Sequence, residues 1–292
     1  MIRSLHKGLG IPYETLISRS ANNSDVDQIA HTTIKQLNQL GFSLNRGEIP
    51  TFISSSMSTA APNALLRKTR TQRAASKTDQ AALTLWQAAV LQKSETVRVP
   101  APFKRSEFTD EALRRIARLS TKPDAPVRAI AALREAGINV VIMPPLQGTF
   151  LDGAALINQR GEPVVGLTLR HDRIDNFWFT LLHELSHISL HFAVLAETCV
   201  AFVDDMEIQS EDLLEREADT LAQNSLIPAA ILEQVAWDRQ STYDDLVAVA
   251  TRARVPLAVV AGRWQRDHQN YKKFARLIDR TSVRDRLAAA GM

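Results

Sequence analysis

The chain of 292 residues contains a single cysteine, Cys199. One thiol cannot form an intramolecular disulfide and rules out a four-cysteine zinc site, so a transition metal would have to be held by imidazole and carboxylate. Cys199 itself reads as a small buried hydrophobe. No run approaches the roughly 20 apolar residues of a membrane span. The opening MIRSLHKGLG lacks the apolar core of a secretory signal. These absences predict a cytoplasmic protein with no membrane partner. A surplus of either charge is also missing: 35 Lys and Arg stand against 32 Asp and Glu, for a net +3. The 45% hydrophobic and 23% charged fractions describe a folded chain, long enough for one large domain or two modest ones.

The small net charge hides an uneven distribution. Residues 251–292 carry ten Lys and Arg against three acids, a surplus of seven, which leaves residues 1–250 at −4. Within 201–219, eight acids stand against Arg216 alone. Such asymmetry can mark a nucleic-acid surface, but a basic helical end docking beside an acidic segment is the simpler reading. The cluster Arg67, Lys68, Arg70 and Arg73 likewise reads as a solvated helix face.

Hydrophobic periodicity and breakers give the organisation. Residues 2–20 read as short helical pieces around Gly8, Gly10 and Pro12, and 24–41 as a helix running from Ser24 to Gly41. The Ser, Thr, Ala and Pro content of 51–63 predicts a loop. A helix is expected over 64–92, with Leu83, Trp86 and Val90 on one face. Beyond Pro100 and Pro102, helices at about 107–119 and 125–136 lead to Gly137. The pattern then becomes strand-like at 139–143, 149–157 and 163–169, the last two joined by a hairpin-length connection. An apolar helix follows from Asn176, and the rest is helical from about 211 onward. The expected class is α+β: a small sheet of about three strands packed on a buried helix, with further helices at both ends. The expected organisation is a remnant at 1–20, a helical region at 21–100, and the main domain at 101–292.

Three of the seven histidines fall within nine residues, in His183-Glu184-Leu185-Ser186-His187-Ile188-Ser189-Leu190-His191. On a helix, positions i and i+4 share a face with Cβ atoms about 5–6 Å apart, so His183 and His187 can reach one metal. Glu184 is displaced around the helix and can address a water rather than the metal. His191 lies too far along to share the metal with His183 and is expected to support the site. A catalytic zinc keeps three protein ligands and one open position. The third is sought in the acidic segment, where Glu215 and Asp219 are i and i+4: Glu215 would ligate while Asp219 accepts a histidine N–H. Glu217, rotated away, is expected to be solvated; it and Glu211 are the substitutes for Glu215. His171, Arg170 and Tyr271 are candidates to stabilise an oxyanion or contact substrate. The strand 164–168 is expected to offer an edge to an extended substrate.

HELSHISLH, with Glu215-Arg216-Glu217-Ala218-Asp219 and Leu226-Ile227-Pro228 downstream, resembles the ImmA/IrrE metallopeptidases of the gluzincin type. The lead-in Leu151-Asp152-Gly153, Val165–Arg170 and Asp172–Thr180, with Val259–Arg263 and Asn270-Tyr271, resembles the subgroup fused to HigA-like helix-turn-helix domains. The resemblance covers about residues 100–290. It implies a zincin-like fold, one Zn2+, and hydrolysis of a protein substrate such as a helix-turn-helix repressor cut under stress or by a regulatory signal. Residues 2–20 resemble the last helices of such a DNA-binding domain; without its recognition helix, direct DNA binding by this chain is not expected. The competing reading is a non-catalytic antitoxin or sensor that keeps the metal-binding fold, against which the intact Glu184 argues.

Overall fold

The computed structural model describes residues 31–57, 65–68, 79–197, 205–278 and 282–292. The remnant expected at 1–20, the start of the helix expected from Ser24, and Cys199 lie outside them. The described helices are α1 (His31–Gln39), α2 (Ile49–Ser56), α3 (Gln80–Glu95), α4 (Asp110–Arg118), α5 (Ala125–Glu135), α6 (Ile174–Glu197), α7 (Asp205–Leu226), α8 (Ala229–Leu232), α9 (Tyr243–Ala253), α10 (Leu257–Asp267) and α11 (Val283–Ala289). The strands are β1 (Leu65–Lys68), β2 (Asn139–Ile142), β3 (Leu151–Ile157) and β4 (Pro163–Leu167). The class is α+β, as expected.

The strands form one mixed sheet in the order β1-β3-β4-β2. β2 pairs in parallel with β4, whereas β1 and β4 both pair antiparallel with β3. The β3–β4 hairpin is closed by Asn158, whose Oδ1 accepts from the backbone N–H groups of Arg160 and Glu162. Gly161 takes the positive φ of 75° in that turn, a conformation glycine adopts without Cβ strain.

Alternate residues of each strand face opposite sides, and both sides are covered. Val140, Ala155, Val165 and Leu167 join one core with Trp178, Leu181, Leu182 and Leu185 of α6. Val141, Ala154, Leu156 and Val164 join the other with Leu37 of α1, Phe52 of α2 and Trp86 of α3. Gly166 makes room for Trp86: a Cβ there would lie 2.8 Å from the indole Cη2. The Trp86 Nε1–H donates to the Pro144 carbonyl at 3.0 Å, which satisfies this fully buried ring.

Three local expectations are corrected. The segment from Thr51 is not all loop: Pro50 sits in the first turn of α2, and Ile49, Phe52 and Ser56 are buried at helical spacing. The helix expected from residue 64 begins only at Gln80, where the Asp79 carboxylate accepts from Ala82 N–H, and Leu65–Lys68 is a strand paired with β3. The strand expected to offer an edge, β4, lies between β3 and β2, with both of its hydrogen-bonding sides occupied. By contrast, α4 and α5 follow the predicted pattern. Asp110 and Glu111 open α4 and Arg115 and Arg118 close it, complementing its dipole. Gly137 ends α5 at φ 81°, where a Cβ would lie 2.3 Å from the Phe103 nitrogen.

The C-terminal helices clamp the start of α6. α10 packs on α6 with Gly262 at the contact, where a Cβ would meet Asp175 Oδ2 at 2.4 Å. The Asp172 carboxylate accepts from Ser282 Oγ–H at 2.5 Å and Val283 N–H at 2.7 Å at the start of α11. Among the described residues, no helix is long and apolar enough to cross a membrane.

Candidate metal centre

The centre is built where α6 packs against α7. α6 is held by fully or almost fully buried Phe177, Trp178, Leu181, Leu182, Leu185 and Ile188. That apolar surround carries His183, Glu184 and His187 into the interior, each exposed by 1% or less. Buried polar groups of this kind need partners, and α7 supplies them. Glu215 Oε2 lies 3.3 Å from His183 Nε2, and Glu215 Oε1 lies 3.3 Å from His187 Nε2. The two Nε2 atoms are 3.1 Å apart. Ligand atoms of His183, His187 and Glu215 thus fall within 4.8 Å of one another, and the three residues could hold a metal ion. Glu217 does not belong to this group; the Glu211 side chain lies outside the described residues.

The neighbours of the imidazoles are consistent with one set of tautomers that leaves both Nε2 atoms unprotonated. Asp219 Oδ1 lies 2.9 Å from His183 Nδ1, so Nδ1–H donates there and Nε2 turns its lone pair toward Glu215. His187 Nδ1 lies 3.0 Å from His191 Nδ1, and His191 Nε2 lies 3.0 Å from Glu217 Oε2. A Nδ1–H on His187 and a Nε2–H on His191 satisfy this chain in one direction and free the His187 Nε2 lone pair as well. Two lone pairs and a carboxylate then converge with no proton to share. That is a donor set for a cation, with three protein ligands, the number that catalytic zinc sites use.

Electrostatics agree with that use. Burial lowers the pKa of His187, the neighbouring imidazoles lower it further, and the hydrogen bond to Glu215 opposes both without prevailing. Burial acts to raise the Glu215 carboxyl, but the hydrogen bonds and charge of His183 and His187 prevail and hold it at about 2. Neutral imidazole and ionised carboxylate are the forms a metal binds.

Glu184 is 0% exposed and lies against the sheet. A Cβ on Gly153 of β3 would come within 2.8 Å of Glu184 Oε1 and 2.8 Å of Thr180 Cγ2. Glycine at 153 therefore lets the carboxylate occupy space that any other residue would fill. The sequence contains this residue in Leu151-Asp152-Gly153, but nothing in the local pattern links it to Glu184; only the β3–α6 packing does.

The histidine cluster holds one more feature that periodicity could not reveal. His191 has φ −114° and ψ 18°, so α6 kinks there. Glu217, expected to be solvated, is 49% exposed in its side chain yet meets His191.

His171, Arg170 and Tyr271 come together in a cavity of about 290 Å³ beside the centre, with Asp152, Phe179 and residues of α7 and α10. The ring of Phe179 is 6.2 Å from that of His183. Arg170 is bonded to Asp152 through Nε at 3.1 Å, and Tyr271 is 60% exposed.

Comparison with known sequences agrees with the ImmA/IrrE resemblance read from the metal-helix motifs. Searches of curated proteins and of solved structures returned no match. Residues 134–265, which span β2 to β4, both helices of the metal centre and most of α10, match the peptidase M78 family, described as the IrrE N-terminal-like domain, and this supports a peptidase of the ImmA/IrrE kind.

Proposed function

We propose that the protein is a zinc-dependent endopeptidase that cuts a helix-turn-helix transcriptional repressor in the cytoplasm, with Glu184 as the general base. The observation that carries this reading is the buried Glu184 carboxylate, one residue from His183 and given its space by Gly153. Holding a metal with His183, His187 and Glu215 does not of itself require an acid beside them. Zinc bound there would polarise the scissile carbonyl and lower the pKa of the attacking water. Glu184 accepts the proton of that water on a carboxylate oxygen and returns it to the leaving amine nitrogen. Asp219 and His191 hold the two imidazoles in the required tautomers. His171, Arg170 and Tyr271, which line the adjoining cavity, are the candidates to stabilise the oxyanion.

The repressor as substrate follows from the resemblance of the motifs, and the test addresses it directly. Zinc-loaded protein is incubated with the purified repressor encoded nearest to it, with and without chelator, and the products are resolved on a gel. Zinc-dependent fragments of defined mass support the proposal. Stoichiometric zinc with an uncut repressor, across several candidate repressors, favours the non-catalytic sensor instead.

A further inference from the structure

The function proposed above makes no use of β1, yet the strand stands beside the centre. It runs antiparallel along the outer edge of β3, with Leu65 opposite Ala155, Leu66 opposite Ala154 and Arg67 opposite Gly153. Gly153 is the residue that packs on Glu184, where a Cβ would lie 2.8 Å from Oε1. Paired strands lie about 4.8 Å apart, so the β1 backbone at Arg67 passes one strand spacing from the point where the sheet touches Glu184. β1 also packs against α6, the helix that carries His183, Glu184 and His187.

Among the described residues, no other strand edge stands beside Glu184. β4 is paired on both sides, and β2 lies beyond β4 at the far side of the sheet. An extended segment that adds to this sheet next to the general base must therefore pair with the edge of β3 that β1 holds.

We propose that β1 is a self-inhibitory strand: residues 65–68 occupy the edge on which an extended substrate segment pairs, and the substrate enters by displacing them. Four residues form a short ladder, and each of its hydrogen bonds contributes little net because water competes for the same groups. The strand is joined to α2 through residues 58–64 and to α3 through residues 69–78. That tether keeps it at high effective concentration beside β3 while no competitor is present. The inference rests on the peptidase reading for what is inhibited, but the displacement itself is read by binding.

The test uses the full chain stripped of metal and a fluorescein-labelled, C-terminally amidated peptide with the sequence of residues 63–70. Leu66→Pro and Arg67→Pro are made separately. Backbone N–H groups of a strand point alternately toward and away from its partner, so one of the two prolines removes a donor to β3. That variant should bind the peptide at least about tenfold more tightly than wild type, the gain expected when the edge is open in about one wild-type molecule in ten or fewer. Amide exchange across Gly153–Ala155 should quicken in the same variant and slow again with peptide bound. Equal or undetectable peptide binding in all three proteins overturns the proposal. A lower melting temperature without a gain in affinity also overturns it, because β1 is then an ordinary structural strand. So does weaker binding in both variants, which would place the peptide on the outer edge of β1. A gain shared by a peptide carrying proline at both positions reports exposed apolar surface and overturns it as well. Zinc-loaded forms of the three proteins are then given the repressor. Faster cleavage by the variant that binds the peptide more tightly is the expected result, and equal cleavage rates in all three overturn this proposal alone. A gain in binding with no cleavage by any of them leaves the displaceable strand standing and counts against the peptidase reading, so the two failures are distinguishable.

Discussion

Each imidazole of the centre is committed at both nitrogens. His183 has Asp219 on one side and Glu215 on the other; His187 has His191 and Glu215. The outer partners decide which nitrogen keeps its proton, so they act on metal affinity without touching the metal. Asp219→Ala should therefore weaken zinc binding by about 10- to 100-fold, measured by competition with a chelating dye. Affinity equal to wild type would mean that Asp219 does not orient His183. The i, i+4 logic that pairs His183 with His187 and Glu215 with Asp219 is legible in the sequence, because a helix fixes which residues share a face. The His191–Glu217 contact is not, because the kink at His191 departs from helical φ and ψ and redirects that ring.

At the scale of elements, the centre depends on how closely β3 approaches α6. Gly153 sets that distance: a methyl group at this position would overlap both Glu184 and Thr180. Gly153→Ala is expected to fold and bind zinc but lose at least about tenfold in cleavage rate, since a displaced general base forfeits part of a contribution of about 10²–10⁴. A single-turnover assay beside a zinc titration separates the two effects. Undiminished turnover would show that the contact is slack. Such inter-element contacts escape a sequence reading for a physical reason. Periodicity reports which face of an element is buried, not what buries it. The same gap explains β4, a run of five buried residues whose central place depends on pairing order. It explains β1 as well: four residues are too few to display a period, and the strand exists by pairing with β3. The case of α2 is different. Ile49, Phe52, Ile53 and Ser56 lie at i, i+3, i+4 and i+7, a helical signal masked by Ser, Thr and Pro composition.

Across the whole molecule, the sheet separates two cores, and the metal centre sits in the layer formed by α6 and α7 on one of its sides. That layer buries ionisable groups, so its stability depends on pH. Folding depresses the His187 pKa below the ordinary 6.5, so the unfolded chain takes up that proton first. The stabilisation is fully present above 6.5 and is lost as pH falls below it. Glu215, held at about 2 rather than 4.5, adds a loss of the same sign below 4.5. The melting temperature of chelator-stripped protein should thus fall as pH is lowered from 7.5 to 5, and fall again below 4.5. A flat profile would contradict the buried, neutral state of His187. At pH 7.5, zinc at 100 times its dissociation constant should add about 2.7 kcal/mol by mass action, read as a rise in melting temperature.

The proposed role of Glu184, the acid beside the histidines, is chemistry that metal binding does not require. It is tested most directly by measuring zinc content and repressor cleavage together in wild-type and Glu184→Gln protein. One zinc per chain is expected in both, with cleavage reduced by at least about 10²-fold in the variant. Equal cleavage rates in the two proteins at equal zinc content would contradict it.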